Sequence, residues 1–454
     1  MVKITQNVEA AYEEETGGYG NPPDSTLLHL GLLDTFDPRQ VEMNITPVPS
    51  IGQSTDAFHA KGPKNVTLPL KIACQGTGWQ TILGFAMGRT YADALVTAGA
   101  TGSNLGTPMK LSNSVNSIAV LARETGGDYT LVGGVVPNEV TLAADYTTGG
   151  YITLEATCTA QNTEDNATGD FSGGFYGDDY SNNPFPTAPT SDPLLPTDLT
   201  VSYSTAVQDD DMLKLKVTDG NYVEVGERYI RILTNADILD GTFAASGVNS
   251  SPYNGVLDLT HADADTITDV VARINAKYSG VGTSEVGSGA GSDKSVNLLK
   301  GIYKMAGSTF ANIPGVQSTS IGETAEGNMA FFSNLKTVSL KIANNNTSIP
   351  GKTGTTWLQN NAISRGKADV TLDLTMTAED DTLYDKYVAG TVIPLIRLDF
   401  GTSGSLALTN GTITSFSRPL TPGGEIVDTM SIKFRGSGDY NNFSSYAISA
   451  DWTL

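Results

Sequence analysis

The strongest constraint on this chain is an imperfect internal repeat. Lys61-Gly62 precedes Val66-Thr67-Leu68 and Leu70, and Arg365-Gly366 precedes Val370-Thr371-Leu372 and Leu374. The offset is 304 in both places (366 − 62 and 370 − 66). Apolar residues alternate in each segment, as on a strand with one buried face. Each segment then leads into a stretch of helical spacing that stops at glycine, Phe85-Ala86-Met87-Gly88 and Tyr387-Val388-Ala389-Gly390. Later marks also match: Gly134-Val135-Val136 with Gly411-Thr412-Ile413, and Gly149-Gly150-Tyr151-Ile152 with Gly423-Gly424-Glu425-Ile426. The shared order is strand, long polar segment, strand, helix, then several strands. It predicts a mainly β fold: two similar antiparallel β-sandwich or half-barrel domains, each with a flanking helix.

Between the repeats the pattern changes. Residues 1–36 read as an N-terminal arm, because Glu13-Glu14-Glu15 and Gly20-Asn21-Pro22-Pro23 carry no periodicity. The first domain is expected over 37–160. Residues 161–197, rich in Gly, Asp and Pro, read as a linker or ordered loop, with Phe171, Phe175, Tyr176, Tyr180 and Phe185 arguing for a packed one. Residues 198–310 read as an inserted α+β module. Its helix begins at Thr266, where Thr266 and Asp269 have capping-box spacing and Ile267, Val270, Val271, Ile274 and Tyr278 form one face. A second linker is expected over 311–327 and the second domain over 328–454.

Composition narrows the function. The chain has 49 Gly and 20 Pro in 454 residues, which implies many turns. Its 49 acidic residues exceed 27 basic ones, for a net charge of −22. Such a surface repels phosphate and disfavours tight nucleic-acid binding. The start, Met1-Val2-Lys3-Ile4-Thr5-Gln6-Asn7, lacks the apolar stretch of a signal peptide, and no apolar run approaches the ~20 residues of a membrane span. A soluble product made in the cytoplasm is expected. Cys74 and Cys158 cannot build a disulfide framework. Their alternation with apolar neighbours reads as free thiols on buried strand faces, with a single bridge as the other option.

No catalytic, cofactor-binding or metal-binding set emerges, and no enzyme activity is expected. His29, His59 and His261 are scattered. His261-Ala262-Asp263-Ala264-Asp265 stands just before a helix start, where acids favour the dipole. Asp209-Asp210-Asp211 reads as a solvated turn between strands. Gly287–Ser292 lacks the Gly-Lys-Ser/Thr of a phosphate loop. A carboxylate-based hydrolase ranks below a β-rich surface adhesion or fibre protein as a competing reading.

The chain resembles the major tail tube proteins of long-tailed, siphovirus-like bacterial and archaeal viruses. The resemblance lies in Glu15-Thr16-Gly17-Gly18-Tyr19-Gly20 with Leu30-Gly31-Leu32-Leu33-Asp34-Thr35-Phe36-Asp37-Pro38, in the long segment ending at Lys61-Gly62, and in Gly411-Thr412-Ile413-Thr414-Ser415-Phe416-Ser417-Arg418-Pro419 running to Gly423-Gly424-Glu425. It covers about residues 10–160 and 328–454. It implies self-assembly into stacked rings around a hollow tube in the virion tail, assembled in the host cytoplasm. Homotrimer rings with two domains per subunit would imitate a hexamer. The implied partners are further copies of the chain, a tape-measure protein in the lumen, tail terminator and tail tip proteins, and DNA in transit without specific binding. In this family a long loop reaches the adjacent ring. Here it maps to Thr46–Lys64 and Asn344–Lys367, with Phe58 and Trp357 as candidate inter-ring contacts. Either aromatic folding back on its own domain is the competing reading. The middle module would decorate the exterior.

Overall fold

A computed structural model describes residues 8–15, 27–37, 40–48, 58–87, 95–96, 109–110, 117–124, 128–172, 180–181, 185–205, 208–217, 222–226, 229–233, 257–259, 264–277, 282–287, 291–305, 310–316, 329–332, 334–352, 358–378, 380–420, 424–436, 438–439, 442–443 and 447–453. The fold is mainly β with antiparallel sheets. The chain forms two compact units. The first holds residues 1–91, 112–196 and 339–369, and the second holds 92–111, 197–338 and 370–454.

Among the described residues before 167 the strands are β1 (Val8–Glu14), β2 (Leu28–His29), β3 (Leu33–Phe36), β4 (Gln40–Val48), β5 (Phe58–Ala73), β6 (Leu95–Val96), β7 (Met109–Lys110), β8 (Ile118–Glu124), β9 (Tyr129–Asp145), β10 (Thr153–Ala160) and β11 (Asn162–Asn166), with helix α1 (Gly78–Ala86) after β5. In the first unit β5 pairs with β10 over eight residues, from Val66 opposite Ala160 to Ala73 opposite Thr153. Val66, Leu68, Leu70 and Ile72 are buried on one face of that ladder, and Trp79, Ile82, Leu83 and Phe85 of α1 are buried as well. Each such side chain contributes about 1.5–3 kcal/mol by leaving water.

The expected arm is not one. β1 pairs with β8 along its whole length, and Ala10, Ala11 and Tyr12 are buried. Residues 10–13 are buried in succession, so the strand has no period-2 pattern for the sequence to show. The polar segment Thr46–Lys64 likewise is not a free loop at its base. β4 and β5 continue as a ladder from Gln40 opposite Thr67 to Val48 opposite Phe58.

The described part of residues 161–197 takes the packed form, and Phe175 and Tyr176 lie outside it. β11 pairs with β9. Phe171 and Tyr180 join Ala11, Leu27, Ala119, Leu121 and Leu131 in a buried cluster. Leu194 is stitched between strands, its N–H donating to the Cys74 carbonyl and its carbonyl accepting from the Ile152 N–H, each at 2.8 Å. Cys74 and Cys158 are both buried and free. Burial pushes both thiols up, that of Cys158 to about 12.

The second unit opens with β12 (Thr200–Ser204), which pairs with β20 (Met329–Phe331) and with β25 (Ile393–Asp399). Placing 198–204 inside the module is therefore a misassignment. The module comprises β13 (Gln208–Val217), β14 (Tyr222–Val225), β15 (Tyr229–Leu233), β16 (Leu257–Asp258), α2 (Ile267–Lys277), β17 (Gly282–Val286), β18 (Gly301–Lys304) and β19 (Ala311–Val316). β19 lies in the segment expected as a linker, yet it pairs with β13. Asp209–Asp211 lie within β13, at a bulge, and not in a turn. The helix is where its spacing places it, and the capping box forms: the Asp269 N–H donates to Thr266 Oγ1 at 3.3 Å and the Thr266 N–H to Asp269 Oδ2 at 3.2 Å. Ile267, Val270 and Ile274 enter a core with Leu213, Leu215 and Ile313, and Tyr278 lies outside the described residues.

The remaining strands are β21 (Leu335–Ala343), β22 (Thr347–Lys352), β23 (Leu358–Ser364), β24 (Asp369–Thr377), β26 (Ser405–Ser417), β27 (Val427–Phe434), β28 (Gly438–Asp439), β29 (Asn442–Phe443) and β30 (Ile448–Thr453), with α3 (Thr382–Ala389) after β24. β24 pairs with β27 from Val370 opposite Phe434 to Thr377 opposite Val427, the register of β5 on β10. The bulge in β9 skips Asn138 and the bulge in β26 skips Thr414, at matching places. Gly134 and Asn410 both adopt left-handed backbone, φ 64° and 54°, beside the equivalent pairs Ile118–Val135 and Ile393–Gly411. The sequence alignment of Gly134 with Gly411 is thus one residue out. Asparagine tolerates this conformation better than other side-chain residues do.

His29, on β2, supplies a test of this packing. Its Nδ1 accepts the Gly31 N–H at 2.9 Å and its ring meets Phe185 edge-on at 6.2 Å. Burial lowers its pKa from the usual 6.5, against the opposing pull of Glu9. The native state therefore binds fewer protons than the unfolded one below pH 6.5, and stability declines as pH falls from 6.5 through the native value. In proton NMR, the histidine signal lost in His29→Gln is expected to titrate below 6.5. A midpoint at or above that value would show an exposed ring.

Candidate functional site

In the first unit, the residues following β21 end on the last turn of α1. Asn344 is buried; its Nδ2 donates to the Ala86 carbonyl at 2.8 Å and to the Pro137 carbonyl at 3.2 Å. Its backbone N–H donates to the Asn138 carbonyl at 2.8 Å. The Asn346 N–H donates to Asn138 Oδ1 at 2.8 Å. Arg365 donates to the same Ala86 carbonyl and to Asn344 Oδ1, the latter at 2.8 Å. Burial lowers the Arg365 guanidinium to about 10. A cation is favoured at a helix C-terminus, where carbonyls lack intrahelical donors. Lys341 adds an ion pair to Glu139 at 2.7 Å.

The local sequence explains this clasp. Asn345 sits at φ 49°, so the chain turns out of β21 there, and its Nδ2 donates to the Lys367 carbonyl at 2.8 Å. A Cβ on Gly366 would stand 2.2 Å from the Asn345 carbonyl oxygen, so the two sides of the hairpin base meet only because residue 366 is glycine. Asn344-Asn345-Asn346 and Arg365-Gly366 were visible in the sequence as a polar opening and a repeat mark. What they hold on Ala86, Pro137 and Asn138 was not, because those acceptors lie more than 200 positions away.

In the second unit, α3 is fixed at its N-terminal end by Arg418. Its guanidinium takes Asp428 bidentately, at 2.6 and 2.8 Å, pairs with Asp381, donates to the Asp380 carbonyl at 2.7 Å and lies over Phe416 at 5.6 Å. Tyr384 and Tyr387 rest on Phe416, with ring centroids 5.5 and 6.0 Å apart. Where every residue of α1 is buried, α3 buries only Leu383. Val388 is 66% exposed, and Tyr384, Tyr387 and Val392 are exposed too.

Phe58 opens β5 opposite Val48, and Trp357 lies outside the described residues, as do His261 and Asp263. Asp265 is paired with Lys294. Among the described residues no group of three or more His, Cys, Asp or Glu is arranged to hold a metal, and no helix is long and apolar enough to cross a membrane.

The clasp predicts a measurable stability term. Asn344→Ala removes one of two side-chain donors from each of the Ala86 and Pro137 carbonyls and takes away the Oδ1 acceptor of Arg365, and is expected to cost about 1–3 kcal/mol. Gly366→Ala forces the hairpin base apart, at about 1–3 kcal/mol. Urea unfolding followed by tryptophan fluorescence checks both, and changes under about 0.5 kcal/mol would place them with ordinary surface substitutions.

No protein-family model matches the chain. No curated protein matches it. Among solved structures, the chain is similar to one from the tail of an empty gene transfer agent particle obtained by helical refinement with C6 symmetry, at 14% identity and TM-score 0.21, over 24% of this chain and 84% of that one. It is also similar to a chain of the virion of a native gene transfer agent particle, at 10% identity and TM-score 0.21, over 28% of this chain and 89% of that one.

Proposed function

We propose that this chain is a virion structural protein in which two copies of one tube domain are joined, and that it self-assembles into stacked rings forming a hollow viral tail tube for DNA delivery. One observation carries the reading: the hairpin base of the second repeat is clasped to the helix end of the first. A contact of that kind joins different surfaces of similar domains. Repeated head to tail with a rotation that closes, it generates a ring. Three subunits would supply six domains, a homotrimer imitating a hexamer. No chemistry is asked of the side chains, so the role is structural and not enzymatic.

The rest of the reading follows from charge and position. A net charge of −22 suits a conduit in which phosphate must not be held. The tube would enclose a tape-measure protein before DNA and end on terminator and tip proteins, in a tail assembled in the host cytoplasm. The β13–β19 module would lie outside. Phe58, at the start of β5, and Trp357, which falls between β22 and β23 in the sequence, would meet the next ring.

Electron microscopy of purified protein tests this. Hollow tubes or stacked rings are expected. Dispersed monomers at high concentration would favour the adhesion or fibre reading instead. Phe58→Ala and Trp357→Ala together are expected to leave rings that stack at least tenfold less well, read as tube length. Full-length tubes from that variant would remove both residues from the ring-to-ring contact.

A further inference from the structure

We infer that α3 and the β26 bulge beside it are the docking site for the β4–β5 hairpin of a second copy of this chain. This rests on the self-assembly reading above and adds which surfaces meet. The argument is the asymmetry between two equivalent places. In the first unit, the last turn of α1 and the bulge at Pro137–Asn138 receive Asn344, Asn346 and Arg365. In the second unit, the equivalent receiving surface is the last turn of α3 with the bulge at Thr414. There Val388 is 66% exposed, and Thr414 and Ser415 are exposed as well.

The donor side has its counterpart too. Lys61-Gly62 stands where Arg365-Gly366 stands, and by the same offset Gln40 takes the place of Asn344 (344 − 304). A cation for a helix C-terminus and a primary amide for a carbonyl are thus kept in type. Charge agrees. The β4–β5 ladder carries His59, Lys61 and Lys64 against Glu42, whereas α3 and its approach carry Glu379, Asp380, Asp381 and Asp385 against Lys386 and the Arg418 that pairs Asp381. The β22–β23 hairpin is already committed to α1. Its first-repeat equivalent, β4–β5, and the exposed α3 are the matching pair. An exposed end of α3 bearing Tyr384, Tyr387 and Val388, with Val392 just beyond it, is what such a partner would cover.

The test uses full-length protein in two forms with one added cysteine each, Lys61→Cys and Val388→Cys. The native Cys74 and Cys158 are buried, with thiols pushed well up, and stay unreactive. The two forms are mixed, allowed to assemble and treated with a short bis-maleimide. Cross-linked dimers are expected only from the mixture, at least tenfold above either form alone. Independently, Val388→Glu is expected to keep the wild-type melting curve and to raise the concentration needed for assembly at least tenfold. Tubes that form normally from Val388→Glu, or tubes without cross-linked dimers, would overturn the docking site and leave the tube reading standing. Wild-type protein that stays monomeric would overturn both.

Discussion

The eight-residue antiparallel ladder, β5 on β10 and β24 on β27, is the interaction on which the rest of each repeat depends. It sets a register in which the buried face is apolar apart from Asp428, which Arg418 pairs, and a slip of one residue would turn that face to solvent. It also fixes where the long strands β9 and β26 bend. β9 pairs with β10 over Val136–Ala143 and with β8 and β11 over its N-terminal half. β26 divides in the same way between β27 on one side and β25 and β30 on the other. The left-handed residue at each bend, Gly134 or Asn410, lets one strand serve two sheets, which is how a sandwich turns a corner. By this pairing β11 in the first repeat stands where β30 stands in the second, and β1 where β12 stands.

The two repeats then differ in what covers them. α1 is wholly buried, with the Tyr12 hydroxyl 2.8 Å from Thr81 Oγ1 inside the first unit. α3 is held by the charged anchor Arg418, by buried Leu383 and by its two tyrosines on Phe416, with Val388 left exposed. Local sequence tracks the difference. α1 runs Gly-Trp-Gln-Thr-Ile-Leu-Gly-Phe-Ala, apolar on nearly every side, while α3 runs Thr-Leu-Tyr-Asp-Lys-Tyr-Val-Ala, with charge in its middle. A helix that is apolar all round requires partners on every face. One with mixed faces can persist in solvent until a partner arrives.

Periodicity carried much of this fold. The Val66–Ile72 and Val370–Met376 strands, both flanking helices and the Thr266 capping box stand where spacing places them, because each is a local signal. The misses share a cause. β1 was hidden because residues 10–13 are buried in succession, which leaves no alternation to read. β12 and β11 were misassigned because a strand's membership in a sheet is decided by its partners, and those lie far along the chain. The clasp was hardest, since Asn344, Asn346 and Arg365 read as ordinary polar surface until Ala86, Pro137 and Asn138 are brought beside them. The acceptors are backbone carbonyls and one amide, which leave no mark in the sequence.

The point of insertion of the module follows from the same ladders. Ser204, the end of β12, pairs with Met329, the start of β20, so the chain leaves and re-enters the sheet at adjacent residues. An insertion there adds little closure entropy, since that cost grows only slowly with length. The module also has its own core around Leu213, Val270 and Ile313. It touches the second repeat through a small cluster, Leu299 and Val316 against Leu395 and Ala407. The equivalent place in the first repeat is the link from β1 to β2, where no domain is inserted. A fold that can accept a whole domain at one of two matching places, while keeping strand register, bulge and bend the same in both, confines its structural demands to the ladders and leaves that link free to vary.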